Sequence, residues 1–261
     1  MSSRNSRRII DVPITAHEEL GDGLHVLTIR SAYLASLVKP GQFLNIRIVD
    51  AIEPLLRRPF SVSRVTGDDL EILFNIVGRG TGLLAVKKLG STLNVIGPLG
   101  VPFHHEADFE TAIMVAGGLG VAPFPFLTSR VLESGKRVET FLGARSASQL
   151  IQRNLRNVHI ATDDGSKGFH GTVVTLLEQY LNEHPVTGGR IFACGPTKMM
   201  KALSEFAQAA SIPCELSLEG DMACGIGICQ GCPVETTHGP KKFALVCTDG
   251  PAFDCKDVVL Y

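Results

Sequence analysis

The chain has 261 residues, of which 44% are hydrophobic and 20% are charged, and its formal net charge is -1 at pH 7. This balance fits a globular protein of one large or two modest domains, and it provides no basic surface that would attract nucleic acid. The longest apolar stretch, TAIMVAGGLGVAPFPF, is interrupted by glycine and proline and is too short to span a membrane. No apolar segment typical of a secretory signal follows MSSRNSRR, so a cytoplasmic protein is expected.

Residues 1–8 are expected to form a disordered tail, and a first folded unit is predicted over 9–107. In that unit, short runs such as LHVLTIRS and LEILFNIVG alternate with turn residues, and no long helical pattern interrupts them. Many short strands of this kind predict a small antiparallel β-barrel.

The pattern changes over 108–216, where strands and helices alternate. TAIMVAGG reads as a strand before the helical APFPFLTSRVLESG, and RVETFLGAR reads as a strand before a short helix in SASQLIQRN. Such alternation predicts a parallel sheet covered on both faces. Over 217–261 glycine, cysteine and short strands dominate, which indicates a small third unit with too little apolar sequence for an independent core.

The stretch VAGGLGVAPF follows a predicted strand and opens a helix. Gly117, Gly118 and Gly120 would let the backbone approach a pyrophosphate, and the helix N-terminus supplies a positive dipole. Pro123 suits a first helical turn, where its missing N–H costs nothing. A plain tight turn without a ligand remains an alternative interpretation.

The stretch FACGP ends the last strand that alternates with helices. Open α/β sheets bind ligands at the carboxyl ends of their strands, so Cys194 would lie near a stacked nicotinamide ring. A buried cysteine before a Gly-Pro turn is the alternative.

Three cysteines and a distant fourth, Cys224, Cys229, Cys232 and Cys247, follow the spacing Cys-x4-Cys-x2-Cys…Cys. This spacing is typical of plant-type [2Fe-2S] ligation, and the intervening glycines allow a tight loop around a cluster. A structural zinc site is the alternative, although such sites usually pair two Cys-x2-Cys units. Cys214 and Cys255 fall outside the spacing and are interpreted as plain core or surface thiols.

Two stretches of the barrel carry groups suited to a second cofactor. In RRPFSV, Arg58 would reach a diphosphate and Ser61 would hydrogen-bond a ring edge. In GRGTGLL, Thr81 adds a hydroxyl at a predicted helix start. An arginine on a strand is more often only part of a solvated face, which is the alternative for Arg58.

Together, RPFS, GGLGVAP and CGP resemble the flavin strand, the pyridine-nucleotide turn and the late Cys-Gly-Pro of the ferredoxin–NADP reductase superfamily. Within it, TDDGSKGFHGTV, CGPTKMM, CGIGICQGCPVE and VCTDGPAF resemble the electron-transfer subunits of class B dihydroorotate dehydrogenases. The resemblance covers nearly the whole chain, and its most specific part is the cysteine block followed by CTDGPAF.

The resemblance implies an FAD-binding barrel over 9–107, an NAD-binding α/β domain over 108–216 and a [2Fe-2S] domain over 217–261. The implied cluster ligands are Cys224, Cys229, Cys232 and Cys247. The implied cofactor contacts are Arg58, Pro59, Phe60, Ser61, Leu73, Phe74, Asn75, Gly80 and Thr81 for FAD, and Gly117, Gly118, Gly120, Cys194, Gly195 and Pro196 for the nicotinamide nucleotide. Asn75 departs from relatives, which often carry a basic residue there.

A [2Fe-2S] cluster passes one electron at a time and nicotinamide exchanges a hydride, so a flavin between them is the natural converter. Because the three units occupy the chain, no domain is left to oxidise an organic substrate, and a subunit is expected. The resemblance implies a partner chain, an FMN-containing dihydroorotate dehydrogenase catalytic subunit, in a heterotetramer of two plus two. Electrons would run from dihydroorotate through FMN, the cluster and FAD to NAD⁺, in pyrimidine biosynthesis.

Three alternatives stay open. Subunits of sulfhydrogenases and of NADH-dependent ferredoxin:NADP oxidoreductase complexes share much of this layout, and a zinc-stabilised binding module would lack redox activity. Arg145 leaves NAD and NADP open, because it would suit a 2′-phosphate or stack on adenine. Asp163 and Asp164 are interpreted as turn residues rather than ribose contacts, and the pair at 104–105 as a solvated interdomain link.

Overall fold

The structure, a computed structural model, describes residues 7–238 and 241–261. Its elements, in chain order, form a closed antiparallel barrel, a parallel α/β sheet and a small C-terminal segment, as the sequence predicts. The expected tail at 1–8 falls mainly outside the described residues, and its last residue, Arg8, opens the first strand.

The barrel consists of six strands in the closed order β1-β2-β5-β4-β3-β6. Their bounds, with those of two short helices, are β1 (Arg8–Gly21), β2 (Leu24–Arg30), α1 (Ala32–Leu37), β3 (Phe43–Arg47), β4 (Arg58–Thr66), β5 (Asp69–Asn75), α2 (Arg79–Ala85) and β6 (Thr92–Leu99). Alternate strand residues fill the interior: Leu44 and Ile46 of β3 are fully buried with Val62 of β4 and Ile72 of β5. Closure of the barrel leaves no free sheet edge.

The second unit is a seven-stranded sheet in the order β10-β9-β8-β7-β11-β12-β15. Its elements are β7 (Thr111–Gly117), α3 (Phe124–Glu133), β8 (Arg137–Ala144), β9 (Val158–Thr162), β10 (Phe169–His170), α4 (Val173–Glu183), β11 (Gly189–Cys194), α5 (Thr197–Ala209) and β12 (Cys214–Ser217). These strands pair in parallel, so their carboxyl ends meet at one edge. One predicted element differs: SASQLIQRN forms only a single 3-10 turn, Ala147–Gln149.

The C-terminal segment is not separate from the sheet. It contains a hairpin of β13 (Pro233–Glu235) and β14 (Phe243–Leu245), followed by β15 (Ala252–Asp254). Strand β15 pairs antiparallel with β12 and so extends the α/β sheet. Cys214 and Cys255 lie beside this pairing as buried free thiols, in agreement with their interpretation as core residues.

A buried ion pair in the sheet holds the segment of chain that follows the barrel. Glu215 is 1% exposed, and one carboxylate oxygen accepts two hydrogen bonds from the Arg190 guanidinium. The other accepts the backbone N–H of His104 at 3.0 Å. Within the link at 104–105, the His104 side chain is exposed, as expected. The His105 side chain is only 11% exposed and contacts the carbonyl of Phe103, so this half of the link is less solvated than expected.

Among the described residues, no helix has the length and apolarity needed to cross a bilayer.

Candidate flavin, nucleotide and iron–sulfur sites

A largely apolar cleft lies between the barrel and the carboxyl edge of the parallel sheet, with about 1050 Å³ of space including its open mouth. It brings together most of the residues that the sequence assigns to the flavin, from three elements of the barrel. These are Arg58, Pro59, Phe60 and Ser61 of β4, Leu73, Phe74 and Asn75 of β5, and Thr81 of α2. The cleft therefore has the position and the lining of a flavin site.

Arg58 provides the positive charge of this cleft. Its guanidinium donates to the carbonyls of Leu56 and Arg57, and no ion pair among the described residues involves it. A Cβ on Gly80 would lie 3.1 Å from the Arg58 Nε, so the missing side chain is what lets the arginine lie against the start of α2. A guanidinium without a carboxylate partner, next to the backbone at the start of α2, is suited to bind a diphosphate.

Thr81 has a more local role than the sequence suggests. Its hydroxyl accepts N–H groups from Val77 at 2.9 Å and Gly78 at 3.2 Å, and donates to the Gly78 carbonyl. Thr81 thus stabilises the turn that enters α2 and holds this backbone in place beside the cleft.

The last residue of β12 and the segment after it form part of the cleft wall, which the sequence analysis missed. Ser217, Leu218, Glu219 and Met222 all line the cavity, together with Phe43 of the barrel. Burial raises the pKa of the Glu219 carboxyl. These residues follow a strand at the ligand-binding edge of the sheet, and that rule would have identified them.

The three glycines of the predicted nucleotide turn have different roles. A Cβ on Gly120 would lie 2.2 Å from the Cys194 carbonyl oxygen, and one on Gly117 would lie 2.6 Å from the Pro196 Cδ. Both positions therefore serve close packing against the loop at 194–196 rather than open access. Only Gly118, with φ +55° and nothing within 4 Å of a Cβ, faces free space where a pyrophosphate would approach.

Cys194 ends β11 in the wall of the cleft, as predicted, and is 3% exposed. Burial and the nearby Glu219 charge raise the pKa of its thiol to about 12, against a smaller opposing effect of a hydrogen bond with Ser217. Cys194 therefore stays a neutral thiol across the physiological range. A neutral group is suited to contact with a nicotinamide ring and unsuited to act as a base.

Asp164 lies apart from the cleft in a turn of its own. One carboxylate oxygen accepts the backbone N–H of Ser166 at 2.9 Å and the hydroxyl of the same residue. These hydrogen bonds lower the pKa of Asp164. The geometry agrees with the interpretation of this residue as part of a turn.

The four cysteines of the predicted cluster differ in their exposure to solvent. Cys232 and Cys247 are buried at 4% and 1% exposure, Cys224 is half-buried, and Cys229 is exposed. The thiol of Cys224 interacts with that of Cys229, and the thiol of Cys247 interacts with that of Cys232 and, more weakly, with that of Cys224. Such an arrangement would suit the two irons of a [2Fe-2S] cluster, for which the ligand spacing in the sequence remains the main support.

Backbone N–H groups point at these sulfurs. The Cys224 Sγ lies 3.4 Å from the N–H nitrogen of Ile226 and 3.5 Å from that of Cys229. Burial raises the pKa of the Cys224 thiol, but these donors outweigh it and lower the pKa to about 7. These hydrogen bonds favour the thiolate at Cys224, as a cluster ligand requires, whereas burial and the neighbouring Cys232 raise the pKa of the Cys247 thiol to about 12. The four cysteines and the N–H donors around Cys224 fit a [2Fe-2S] group.

The role of Arg58 can be tested by FAD titration of the apoprotein. Arg58→Ala is expected to weaken FAD binding about 10- to 100-fold, because a hydrogen bond to a charged group contributes about 1.5–3 kcal/mol. The neighbouring Arg57 is a matched control, since its guanidinium is tied to the Asn94 carbonyl at 2.8 Å. Equal loss of FAD affinity in Arg57→Ala would contradict the assignment.

The buried thiol of Cys194 predicts a dependence of stability on alkaline pH. Folding keeps Cys194 protonated up to a pKa of about 12, whereas an unfolded thiol ionises near pH 8.5. The stability it contributes is complete below about pH 8 and declines as pH rises toward 12. The stability advantage of wild type over Cys194→Ser should therefore shrink by about 2 kcal/mol between pH 8 and pH 10 in urea unfolding. A constant difference would show that the thiol ionises in the folded state.

The fold and these sites define a class: an FAD- and nicotinamide-dependent oxidoreductase that also carries an iron–sulfur cluster. Residues 219–259 match the iron–sulfur cluster binding domain of dihydroorotate dehydrogenase B. The chain is 35% identical over 255 residues to the dihydroorotate dehydrogenase B (NAD(+)) electron transfer subunit of Bacillus velezensis, covering 95% of this chain and 97% of that protein. It is also 35% identical over 261 residues to the subunit of the same name from Desulforamulus reducens, covering 97% and 98%. The chain therefore belongs to the family of dihydroorotate dehydrogenase B (NAD(+)) electron transfer subunits.

Solved structures agree with the fold. One, from a study of flavin-based electron bifurcation by NADH-dependent reduced ferredoxin-NADP oxidoreductase, aligns with a TM-score of 0.81 and 27% identity, covering 95% of this chain and 90% of that one. A ferredoxin NADP⁺ reductase from Neisseria gonorrhoeae with bound FAD and NADP aligns with a TM-score of 0.65 and 18% identity, covering 77% and 91%. The second likeness concerns the fold alone.

Proposed function

We propose that the chain carries electrons from the FMN of a partner dihydroorotate dehydrogenase chain, through [2Fe-2S] and FAD, to NAD⁺ in pyrimidine biosynthesis. The support is the family to which the chain belongs, together with the joint presence of a flavin cleft and a cluster site. When bound, the flavin exchanges single electrons with the cluster and a hydride with the nicotinamide.

One observation carries the proposal: the wall of the flavin cleft and the cluster loop are one continuous segment. Glu219 and Met222 line the cleft, and the first cluster cysteine, Cys224, follows two residues after Met222. A cluster held there would lie beside the flavin. The segment thus serves both cofactors without a separate linker.

The site residues are assigned to three tasks. Arg58 and the backbone around Gly80 would hold the FAD diphosphate, while β4 and β5 would flank its ring through Ser61 and Asn75. Cys194 and the turn at Gly118 would receive the nicotinamide nucleotide. The protein's residues position and shield the cofactors, and no side-chain base is assigned to hydride exchange.

The exposed end of the cluster loop is the proposed port for the partner chain. Cys229 is exposed, and Ile228 beside it is 78% exposed. An exposed cluster ligand would be accessible to the redox group of a partner chain. We assign the chain to the cytoplasm, because four clustered cysteines that are proposed cluster ligands, together with three free thiols, are typical of reducing compartments.

The proposal is tested by co-expressing the chain with a candidate FMN-containing dihydroorotate dehydrogenase chain. The purified complex should reduce NAD⁺ with dihydroorotate, and neither chain alone should do so. An assembled 2+2 heterotetramer is expected by light scattering. A complex that forms but does not reduce NAD⁺ would overturn the assignment.

The likeness to the bifurcating oxidoreductase structure, at a TM-score of 0.81, favours one second candidate. In that case the chain would be a diaphorase-like subunit of a sulfhydrogenase or of an NADH-dependent ferredoxin:NADP oxidoreductase complex. The two are separated by the electron donor: reduced ferredoxin and NADH, with NADP⁺ as acceptor, would support turnover of the oxidoreductase complex, and dihydroorotate with NAD⁺ would support turnover in the first case.

A further inference from the structure

Asn45 is a buried polar residue on the outer face of the barrel. Its neighbours on β3, Leu44 and Ile46, point into the barrel interior, so the alternation of a strand directs Asn45 outward. An outward side chain would normally meet water, yet Asn45 is 0% exposed. The cluster loop covers it.

The contact with that loop is specific. The Asn45 Nδ2 donates to the carbonyl of Cys224 at 2.9 Å, across 179 residues of sequence. A Cβ on Gly225 would lie 2.5 Å from the same Nδ2, and Gly225 has φ +69°, so only glycine permits this approach. The amide therefore fits against the first cluster ligand and the residue after it.

The strand also reaches the flavin cleft. Phe43, two residues before Asn45, lines the cleft, and Asn45 pairs with Pro59 in the flavin-binding strand β4. Two residues of a strand span about 7 Å. A register shift against β6 between Phe43 and Asn45 marks a bulge, a device that re-aims side chains. One short strand thus touches both proposed cofactor sites.

Stability alone does not account for the amide. The Asn45 Oδ1 is buried without a hydrogen-bond partner among the described residues. A half-satisfied buried amide costs stability that an apolar residue of similar size would avoid. The benefit of asparagine here is its hydrogen bond to the cluster loop.

We propose that Asn45 is a positioning residue that fixes the cluster loop to the flavin-binding barrel and so sets the separation of the two cofactor sites. This rests on the proposed function only in requiring both cofactors in one chain, and it is independent of the partner's identity. Because electron transfer falls steeply with distance, a loosened loop would slow transfer inside this chain while leaving flavin chemistry intact.

The test compares Asn45→Leu with wild type in the isolated, cofactor-loaded chain, using NADH as reductant and no partner. Asn45→Leu keeps the branched arrangement of side-chain heavy atoms, with two methyl groups in place of the amide oxygen and nitrogen, and removes the donor. Reduction of the cluster by NADH, followed by stopped-flow absorbance, should slow about 10-fold or more, the range for losing an outer contact to a metal ligand. NADH oxidation by ferricyanide should stay within about twofold of wild type, since it bypasses the cluster.

Two readouts other than activity accompany these rates. The EPR spectrum of the reduced cluster should change or broaden, and amide hydrogen exchange over 224–231 should accelerate. Where leucine prevents folding, Asn45→Ser is the second variant, because its shorter side chain falls short of the Cys224 carbonyl. It should change the same readouts in the same direction.

Gln42 provides a matched control. It is another buried barrel amide at 8% exposure, and its Nε2 donates to the Gly100 carbonyl at 2.7 Å, away from the cluster loop. Gln42→Leu should lower thermal stability without slowing cluster reduction. Wild-type cluster reduction with an unchanged EPR spectrum in the Asn45 variants would overturn the proposal, as would equal slowing in Gln42→Leu. A wrong partner assignment would alter none of these results.

Discussion

Replacing Cys229 by serine is expected to abolish electron flow to or from the partner while sparing flavin chemistry. Cys229 is the exposed member of the four proposed cluster ligands, and its thiol interacts with that of Cys224. Serine binds iron poorly, so the loss of partner-linked NAD⁺ reduction should exceed the roughly 100-fold typical of outer-sphere substitutions. FAD content and NADH oxidation by ferricyanide should stay near wild type, because the flavin cleft does not include Cys229.

Cys255→Ser is the matched control for this change. Cys255 is also a cysteine of the C-terminal segment, but it is buried beside Cys214 and belongs to no cluster pair. It should retain partner-linked activity. If Cys229→Ser lost FAD and ferricyanide activity together with partner-linked flow, the cluster would be a structural support rather than an electron port.

Replacing Gly120 by alanine is the second change with a large expected effect. The new Cβ would lie 2.2 Å from the Cys194 carbonyl oxygen and 2.7 Å from the Gly195 nitrogen, both backbone atoms. The loop at 194–196 must then move, which should cost about 3 kcal/mol, the upper end of the range for overpacking. Thermal unfolding should report the loss of stability, and the KM for NADH should rise because this loop borders the proposed nicotinamide site.

Gly118→Ala separates this packing effect from the general cost of alanine in the turn. Gly118 has φ +55°, and a Cβ there would meet nothing within 4 Å. Gly118→Ala should lower the free energy of unfolding only by the penalty for a left-handed conformation at a residue with a Cβ, about 1–2 kcal/mol. If the two variants were equally destabilised, close packing of Gly120 against β11 would not be the reason for that glycine.

The sequence predicts features that depend on local spacing. The cysteine pattern and its glycines identify the cluster loop, because ligand spacing and tight turns are local properties. The alternation of short strands, and then of strands with helices, predicts the barrel and the parallel sheet for the same reason. Arg58 and Thr81 both line the cleft. Predicting that they share one site required, in addition to local spacing, the resemblance to the flavin strand of related reductases.

Features that depend on distant contacts were not predicted. Strand β15 joins the α/β sheet through three residue pairs with β12, which no local pattern indicates. The roles of Gly117 and Gly120 depend on a loop more than 70 residues later in the chain. Asn45 belongs to no sequence motif. Its contact with Cys224 forms only when the folded cluster loop covers this part of the barrel.

Electrons from dihydroorotate are proposed to reach NAD⁺ through the cluster and flavin of this chain. The most direct measurement is anaerobic rapid-freeze EPR of the reconstituted complex after mixing with dihydroorotate in the absence of NAD⁺. A reduced-cluster signal is expected that requires the partner chain and disappears on addition of NAD⁺ as NADH forms. NADH formation while the cluster stays oxidised, or formation by this chain without the partner, would contradict it.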